Sequence, residues 1–134
     1  MKEYVDVALV VWNPDIIQLL SFVLQTHDLN GVGIEPSEGT RNIARFLEFA
    51  EAPVVVFDLE PPYNRSTAGL LPLLEKFHQC AFVVTCADPV LALKSAPYLA
   101  RYPVFQKPYD LGKVVSTIQT LARNSPALAV EVSH

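Results

Sequence analysis

Uninterrupted apolar runs alternate with helical stripes five times along this chain. Val5 to Trp12 (VDVALVVW) is β-branched and nearly unbroken, the pattern of a strand buried on both faces. Asn13 then suits an N-cap and Pro14 a first helical turn; Ile16, Leu19, Leu20, Val23 and Leu24 follow at helical spacing up to about His27. Gly31 to Ile34 reads as a weaker second strand, and Ile43, Phe46, Leu47 and Ala50 mark a second helix. Val54 to Phe57 predicts a third strand, bounded by Pro53 and by Pro61-Pro62. A polar loop through Tyr63, Asn64, Arg65 and Ser66 is expected next, then a third helix with Leu73, Leu74 and Phe77, Pro72 lying in its first turn. Ala81 to Thr85 predicts a fourth strand, and Asp88-Pro89 opens a short fourth helix that Pro97 should end or kink. Val104 and Phe105 belong to a short fifth strand, and Leu111, Val114, Val115, Ile118 and Leu121 to a last helix.

Five strand–helix repeats predict an α/β fold, an open, five-stranded, parallel, doubly wound sheet with helices on both faces. In such sheets reactive groups collect beyond the carboxyl ends of the strands. The residues expected there are Trp12 and Asn13 after the first strand, Asp58 after the third, Thr85 after the fourth and Lys107 after the fifth.

Composition narrows the function classes. The 134 residues suit one domain, expected over 1–123, with 124–134 (broken by Pro126) as a tail or linker stub. A net charge of -4 and scattered Lys and Arg argue against direct binding to nucleic acid or an anionic membrane. Neither a leader segment nor a run near the ~20 apolar residues of a membrane span is expected, so a cytoplasmic location is the default. Cys80 and Cys86 match no metal or redox spacing and read as small apolar fillers in a reducing compartment. His27 and His78 read as surface residues near helix C-termini.

Asp58, Thr85 and Lys107 bring a carboxylate, a hydroxyl and an ammonium to the ends of three different strands. That trio suits a phosphoryl group: the carboxylate attacks, the hydroxyl donates to a phosphoryl oxygen, and the lysine offsets developing charge. The segments VVVFDLEPP (54–62), FVVTCAD (82–88) and VFQKPYDLGKVVSTIQTLA (104–122) carry this trio. With them the chain resembles the receiver domains of two-component response regulators, over about residues 5–123. The resemblance implies the flavodoxin-like receiver fold, Asp58 as phosphoacceptor, Thr85 as the switch hydroxyl and Lys107 as the invariant lysine. It also implies a cis Lys107-Pro108 bond, and a site lined by Val11, Trp12, Asn13, Glu60, Cys86 and Ala87.

The departures from the family pattern bear on chemistry. Receivers usually end their first strand in an acidic pair that helps bind Mg²⁺; Val11 and Trp12 stand there, and neither supplies the oxygen a hard cation needs. Asp15 falls in the helix's first turn, whereas Glu60 has the reach to meet a cation. No metal ligand is assigned, and Mg²⁺ is disfavoured rather than excluded. Asp58 and Lys107 are expected to neutralise each other directly, and Trp12 to fill part of the vacated cavity. The usual switch aromatic is replaced by Val104, flanked by Tyr102 and Phe105. Gly69 falls about three residues late, which implies a lengthened 59–70 loop.

The resulting expectation is a stand-alone, atypical receiver, not an enzyme, that acts as a signalling interaction module. By the resemblance its partners are a histidine kinase or phosphotransfer protein and a downstream signalling protein, with homodimers permitted. Tyr98, Tyr102 and Tyr109 are expected as exposed aromatics on the face of the fourth helix, fifth strand and fifth helix. A working phosphoacceptor is the alternative. A flavin- or nucleotide-binding protein is a remote one, because WNPDII (12–17) lacks the Gly- or Ser/Thr-rich phosphate loop such proteins need.

Overall fold

The computed structural model describes residues 4–36 and 39–124. In chain order the elements are β1 (Val7–Val10), α1 (Pro14–Thr26), β2 (Gly31–Ile34), α2 (Thr40–Ala50), β3 (Val54–Asp58), α3 (Tyr63–Lys76), β4 (Ala81–Cys86), α4 (Pro89–Ser95), a 3-10 turn (Pro97–Arg101), β5 (Val104–Gln106) and α5 (Leu111–Arg123). The strands form one sheet in the order β2-β1-β3-β4-β5, every pair parallel. The expected parallel doubly wound sheet with helices on both faces is what forms.

Side-chain alternation along the strands divides the core in two. Val7, Leu9 and Val11 of the first strand segment, with Val54 and Val56, pack against Leu20 and Leu24 of α1 and Val114 and Ile118 of α5. Ala8, Val10, Val55 and Phe57 face the other way, onto Ile43 and Leu47 of α2 and Leu70 and Leu74 of α3. Fully buried leucines such as Leu20 and Leu24 each stabilise the fold by roughly 2 kcal/mol through removal from water. Gly33 permits close approach of α1 to the edge strand β2, since a methyl group there would collide with Ile17.

Local caps explain where the helices begin. Asn13 Oδ1 accepts the Asp15 N–H at 2.9 Å, Asp88 Oδ1 the Leu91 N–H at 3.1 Å, and Asp110 Oδ1 the Lys113 N–H at 3.2 Å. Each cap stands just past a strand end, so the caps also fix the loops that carry the site.

Three expectations are corrected. β1 is shorter than Val5 to Trp12, because pairing with the four-residue β2 ends at Val10. Tyr63 to Ser66 is not a loop; α3 starts at Tyr63, and Pro72 lies in its interior rather than its first turn. Tyr63, Thr67, Leu70 and Leu74 supply the buried stripe, while Pro72 is exposed, so water can reach the Ala68 carbonyl that proline leaves without an N–H partner. The connection beside Asp58 is consequently short, residues 59–62, and Gly69 lies within α3 instead of closing a lengthened loop. Residues 125–134, including Pro126, lie outside the described residues.

Candidate functional site

Parallel pairing sets the site. β1 and β3 are neighbours, and β1 connects outward to β2 whereas β3 leads on to β4 and β5, so the strand order reverses beside β1 and β3. Asp58 is in register with Thr85, and Lys107 follows Gln106, the partner of Cys86. The backbone locks this rim: Leu59 N–H donates to the Thr85 carbonyl and Lys107 N–H to the Cys86 carbonyl, both at 2.8 Å.

Asp58, Thr85 and Lys107 meet there. The Thr85 hydroxyl donates to Asp58 Oδ1 at 2.9 Å, Lys107 Nζ lies 3.0 Å from the same oxygen, and the Trp12 N–H points to Oδ2 at 3.4 Å. Lys107 Nζ also donates to Glu60 Oε1 at 3.0 Å, so one ammonium bridges two carboxylates. The Asp58 carboxylate is only 4% exposed, against 40% for the side chain of Glu60. The Lys107-Pro108 bond is cis, as the resemblance implied, and so is Pro61-Pro62.

Burial and pairing pull these groups in different directions. Burial pushes the Asp58 carboxyl above its ordinary range; Lys107, Thr85 and the Trp12 N–H pull it back without cancelling that cost. Lys107 is partly desolvated, which lowers it, but the hydrogen bonds and charges of Glu60 and Asp58 outweigh this and hold it up. The ammonium is only partly buried and has two carboxylate partners, whereas the Asp58 carboxylate is deeply buried beside a single ammonium.

Val11 is buried apolar wall, Asp58 spends both oxygens on protein donors, and the Lys107 ammonium already stands between Asp58 and Glu60. These donors do not fit the oxygen cage a hard divalent cation requires. Among the described residues, no three His, Cys, Asp or Glu side chains form a group that could hold a metal ion.

Of the other residues expected to line the site, Val11, Trp12, Asn13 and Glu60 divide between two cavities, whereas Cys86 and Ala87, contrary to expectation, line neither. Val11, Asn13 and Glu60 line a cavity of about 520 Å³ beside Lys107, where Ile16, Leu19 and Tyr109 supply further wall. Trp12 does not fill it. Strand alternation sends Val11 with Leu9 toward α1 and Trp12 the opposite way, and the half-exposed indole lines a smaller cavity of about 160 Å³ on the α2–α3 side of Asp58, near Arg65. Cys86 is fully buried in the α2–α3 core, its thiol pushed up by burial and then by the Asp58 charge. Ala87 is exposed, and its carbonyl accepts from Gln106 Nε2 at 3.4 Å. Cys80 is half-buried, and both cysteines are free thiols. His27 caps the C-terminus of α1 and His78 follows α3, both exposed.

The aromatic expectations need correction. Tyr98, Tyr102 and Tyr109 are half-buried rather than exposed. Tyr98 donates its hydroxyl to the Thr67 carbonyl at 2.6 Å, Tyr102 sits edge-on to Phe82 at 6.4 Å, and Tyr109 lines the Lys107 cavity. Val104 packs on the α2–α3 side and Phe105 on the α1–α5 side. Tyr63 was not anticipated: its buried hydroxyl accepts the Asp88 N–H at 3.0 Å and ties α3 to the loop after β4. Its signal was the i, i+4, i+7 spacing of Tyr63, Thr67 and Leu70, hidden by the polar residues between.

No family model and no curated protein matches the sequence. Solved structures do match. The signal receiver domain of an HD domain-containing protein from Pseudomonas fluorescens superposes with a TM-score of 0.74 at 13% identity, over 93% of this chain and 99% of that one. The signal receiver domain of a putative Luxo repressor protein from Vibrio parahaemolyticus gives 0.73 at 14% identity, over 98% of this chain and 100% of that one. The N-terminal signal receiver domain of a two-component system response regulator from Bacteroides fragilis gives 0.71 at 18% identity, over 90% and 98%. With five parallel strands in the order β2-β1-β3-β4-β5 and the acid, hydroxyl and lysine at their carboxyl ends, this chain has the receiver-domain fold of response regulators.

Proposed function

We propose that this chain is an atypical receiver of two-component signalling that acts through protein contacts, with Asp58 at the phosphoacceptor position and no working divalent-cation site. One observation carries the reading: the Lys107 ammonium stands 3.0 Å from both Asp58 and Glu60, beside an apolar Val11. The charge that a metal ion supplies in a receiver with a full acidic rim comes here from a side chain already committed to two carboxylates. Attack of Asp58 on phosphorus needs a free carboxylate oxygen and cations on the phosphoryl oxygens. Lys107 would have to serve both needs at once, and losing a metal's share of that charge costs several kcal/mol, or several powers of ten in rate.

The partners that suit this reading are a histidine kinase or phosphotransfer protein upstream and a signalling protein downstream, met through surface contacts rather than catalysis. Val90 and Leu91, exposed on α4, give that helix an apolar contact surface. No helix among the described residues is long and apolar enough to cross a membrane.

Incubation with Mg²⁺ and acetyl phosphate, followed by intact-mass measurement, tests the proposal. No phosphoryl adduct is expected, and beryllofluoride with Mg²⁺ should leave the Trp12 emission unchanged. A stoichiometric adduct that Asp58→Asn abolishes would overturn it in favour of a working phosphoacceptor. That second reading draws its support from the Thr85, Lys107 and Asp58 contacts, all within 3.0 Å.

A further inference from the structure

The cavity beside Lys107 is walled mostly by apolar side chains. At about 520 Å³ it falls within the range of small-molecule pockets. Val11, Ile16, Leu19 and Leu111 make its apolar walls, Tyr109 adds an aromatic ring, and the charged groups gather at one end. An apolar cleft with a few convergent polar groups is the usual form of a ligand site.

The charges at that end choose the ligand's sign. Asp58 and Glu60 against Lys107 leave one net negative charge, in a chain of net charge -4. Asp58 has both oxygens engaged by protein donors. Glu60 is the more accessible carboxylate, with Oε1 on Lys107. A ligand anion would set a third negative charge around one ammonium and compete with Glu60 for it. A ligand cation meets an excess of negative charge at the rim of an apolar cleft, where screening by water is reduced.

We propose that this cavity binds a small organic cation, a primary amine on a compact apolar body. The ammonium pairs with Glu60, and the body lies against Val11, Ile16, Leu19 and Leu111. Tyr109 supplies an aromatic wall of the kind that favours cations. The inference rests on the cavity and on Glu60, not on the reactivity of Asp58. An occupant would also cover the approach to Asp58 from this side.

The test is titration of the full chain, without metal or phosphodonor, followed by amide NMR. The probes are 2-phenylethylamine, 2-phenylethanol and phenylacetate, which share one body and differ in charge. The amine is expected to shift the Val11, Asn13 and Tyr109 amides with a Kd below about 1 mM. The alcohol should bind at least tenfold more weakly, and phenylacetate more weakly still. Glu60→Gln should weaken the amine at least tenfold and leave the alcohol unchanged. Leu19→Trp, at an exposed position of α1, should crowd the mouth and weaken both. Phenylacetate binding as tightly as the amine, amine affinity unmoved by either variant, or no amine binding at 10 mM (about tenfold above the expected Kd) each overturns the proposal. Because no phosphodonor is present, failure here leaves the phosphoacceptor question untouched, and the converse also holds.

Discussion

At the scale of single residues, the site is governed by how one ammonium is divided. Asp58 loses more by leaving water than it recovers from Lys107, Thr85 and the Trp12 N–H, so its proton is held more tightly in the fold than in the open chain. Removing the ammonium must push it further the same way. In Lys107→Met, the unfolded chain gives up the Asp58 proton near its ordinary value of 3.8 while the folded protein keeps it to higher pH. The unfolded state then binds fewer protons across that window, so the variant loses stability as pH rises through it. Urea unfolding should find Lys107→Met close to wild type at about pH 3 and weaker by about 3 kcal/mol near pH 7. An equal deficit at both pH values would refute a role for the buried charge. The trio itself was legible in the sequence because strand ends in a parallel sheet converge whatever the loops do. The bond from Lys107 to Glu60 was not, since the reach of a partly exposed side chain leaves no mark in spacing. The direction of Trp12 could have been read from the period of two that puts Val7, Leu9 and Val11 on one face.

At the scale of elements, the strands and the caps Asn13 and Asp88 were readable because apolar runs and capping residues carry local physics; the Asp110 cap emerges only in the structure. The start of α3 was not readable, for its first buried residues are a tyrosine and a threonine with polar neighbours, and Pro72 suggested a beginning rather than an interior. That proline weakens its own helix. Pro72→Ala restores an N–H opposite the Ala68 carbonyl and should stabilise the protein by about 1–3 kcal/mol in thermal unfolding, a loss of stability contradicting the helix assignment. The same helix anchors its neighbour. Tyr98, just past α4, donates to the Thr67 carbonyl, and Tyr63 accepts the N–H of Asp88, where α4 begins. Burial, with Tyr102 nearby, pushes the Tyr98 hydroxyl up from 10.0 to about 12. The fold therefore holds that proton after the unfolded chain has released it, and stability falls as pH climbs between those values. Tyr98→Phe should cost about 1 kcal/mol at neutral pH, and that deficit should shrink as pH approaches 12. Lys107 and Tyr109 are also shifted upward, so the wild type declines in alkali for several reasons and only the difference between the two proteins isolates Tyr98.

At the scale of the whole molecule, stability and signalling are expected to occupy different parts of the sheet. β1, β3 and β4 are central and almost wholly buried, whereas β2 and β5 are short edges with partly exposed side chains. The alternation of strands and helices made the parallel sheet readable, but the unequal depth of its strands follows from spatial order, which pairs chain neighbours with distant segments. α4 has only seven residues, and beyond the Asp88 cap it depends on Tyr98 and on a few buried positions such as Ala92 and Leu99. A segment held by so few groups opens at lower free energy than the strands beneath it. Amide hydrogen exchange should therefore give Val54–Asp58 and Val83–Cys86 an opening free energy equal to that of global unfolding. The amides of the 3-10 turn after Pro97 and of α4 beyond its first turn should open at least about 2 kcal/mol more easily, and Tyr98→Phe should widen that gap while leaving β3 at the global value of its own variant. Uniform protection across β3 and α4 would mean that the molecule opens as one unit. In that case, a change at Asp58 could move the α4 surface only by unfolding the domain.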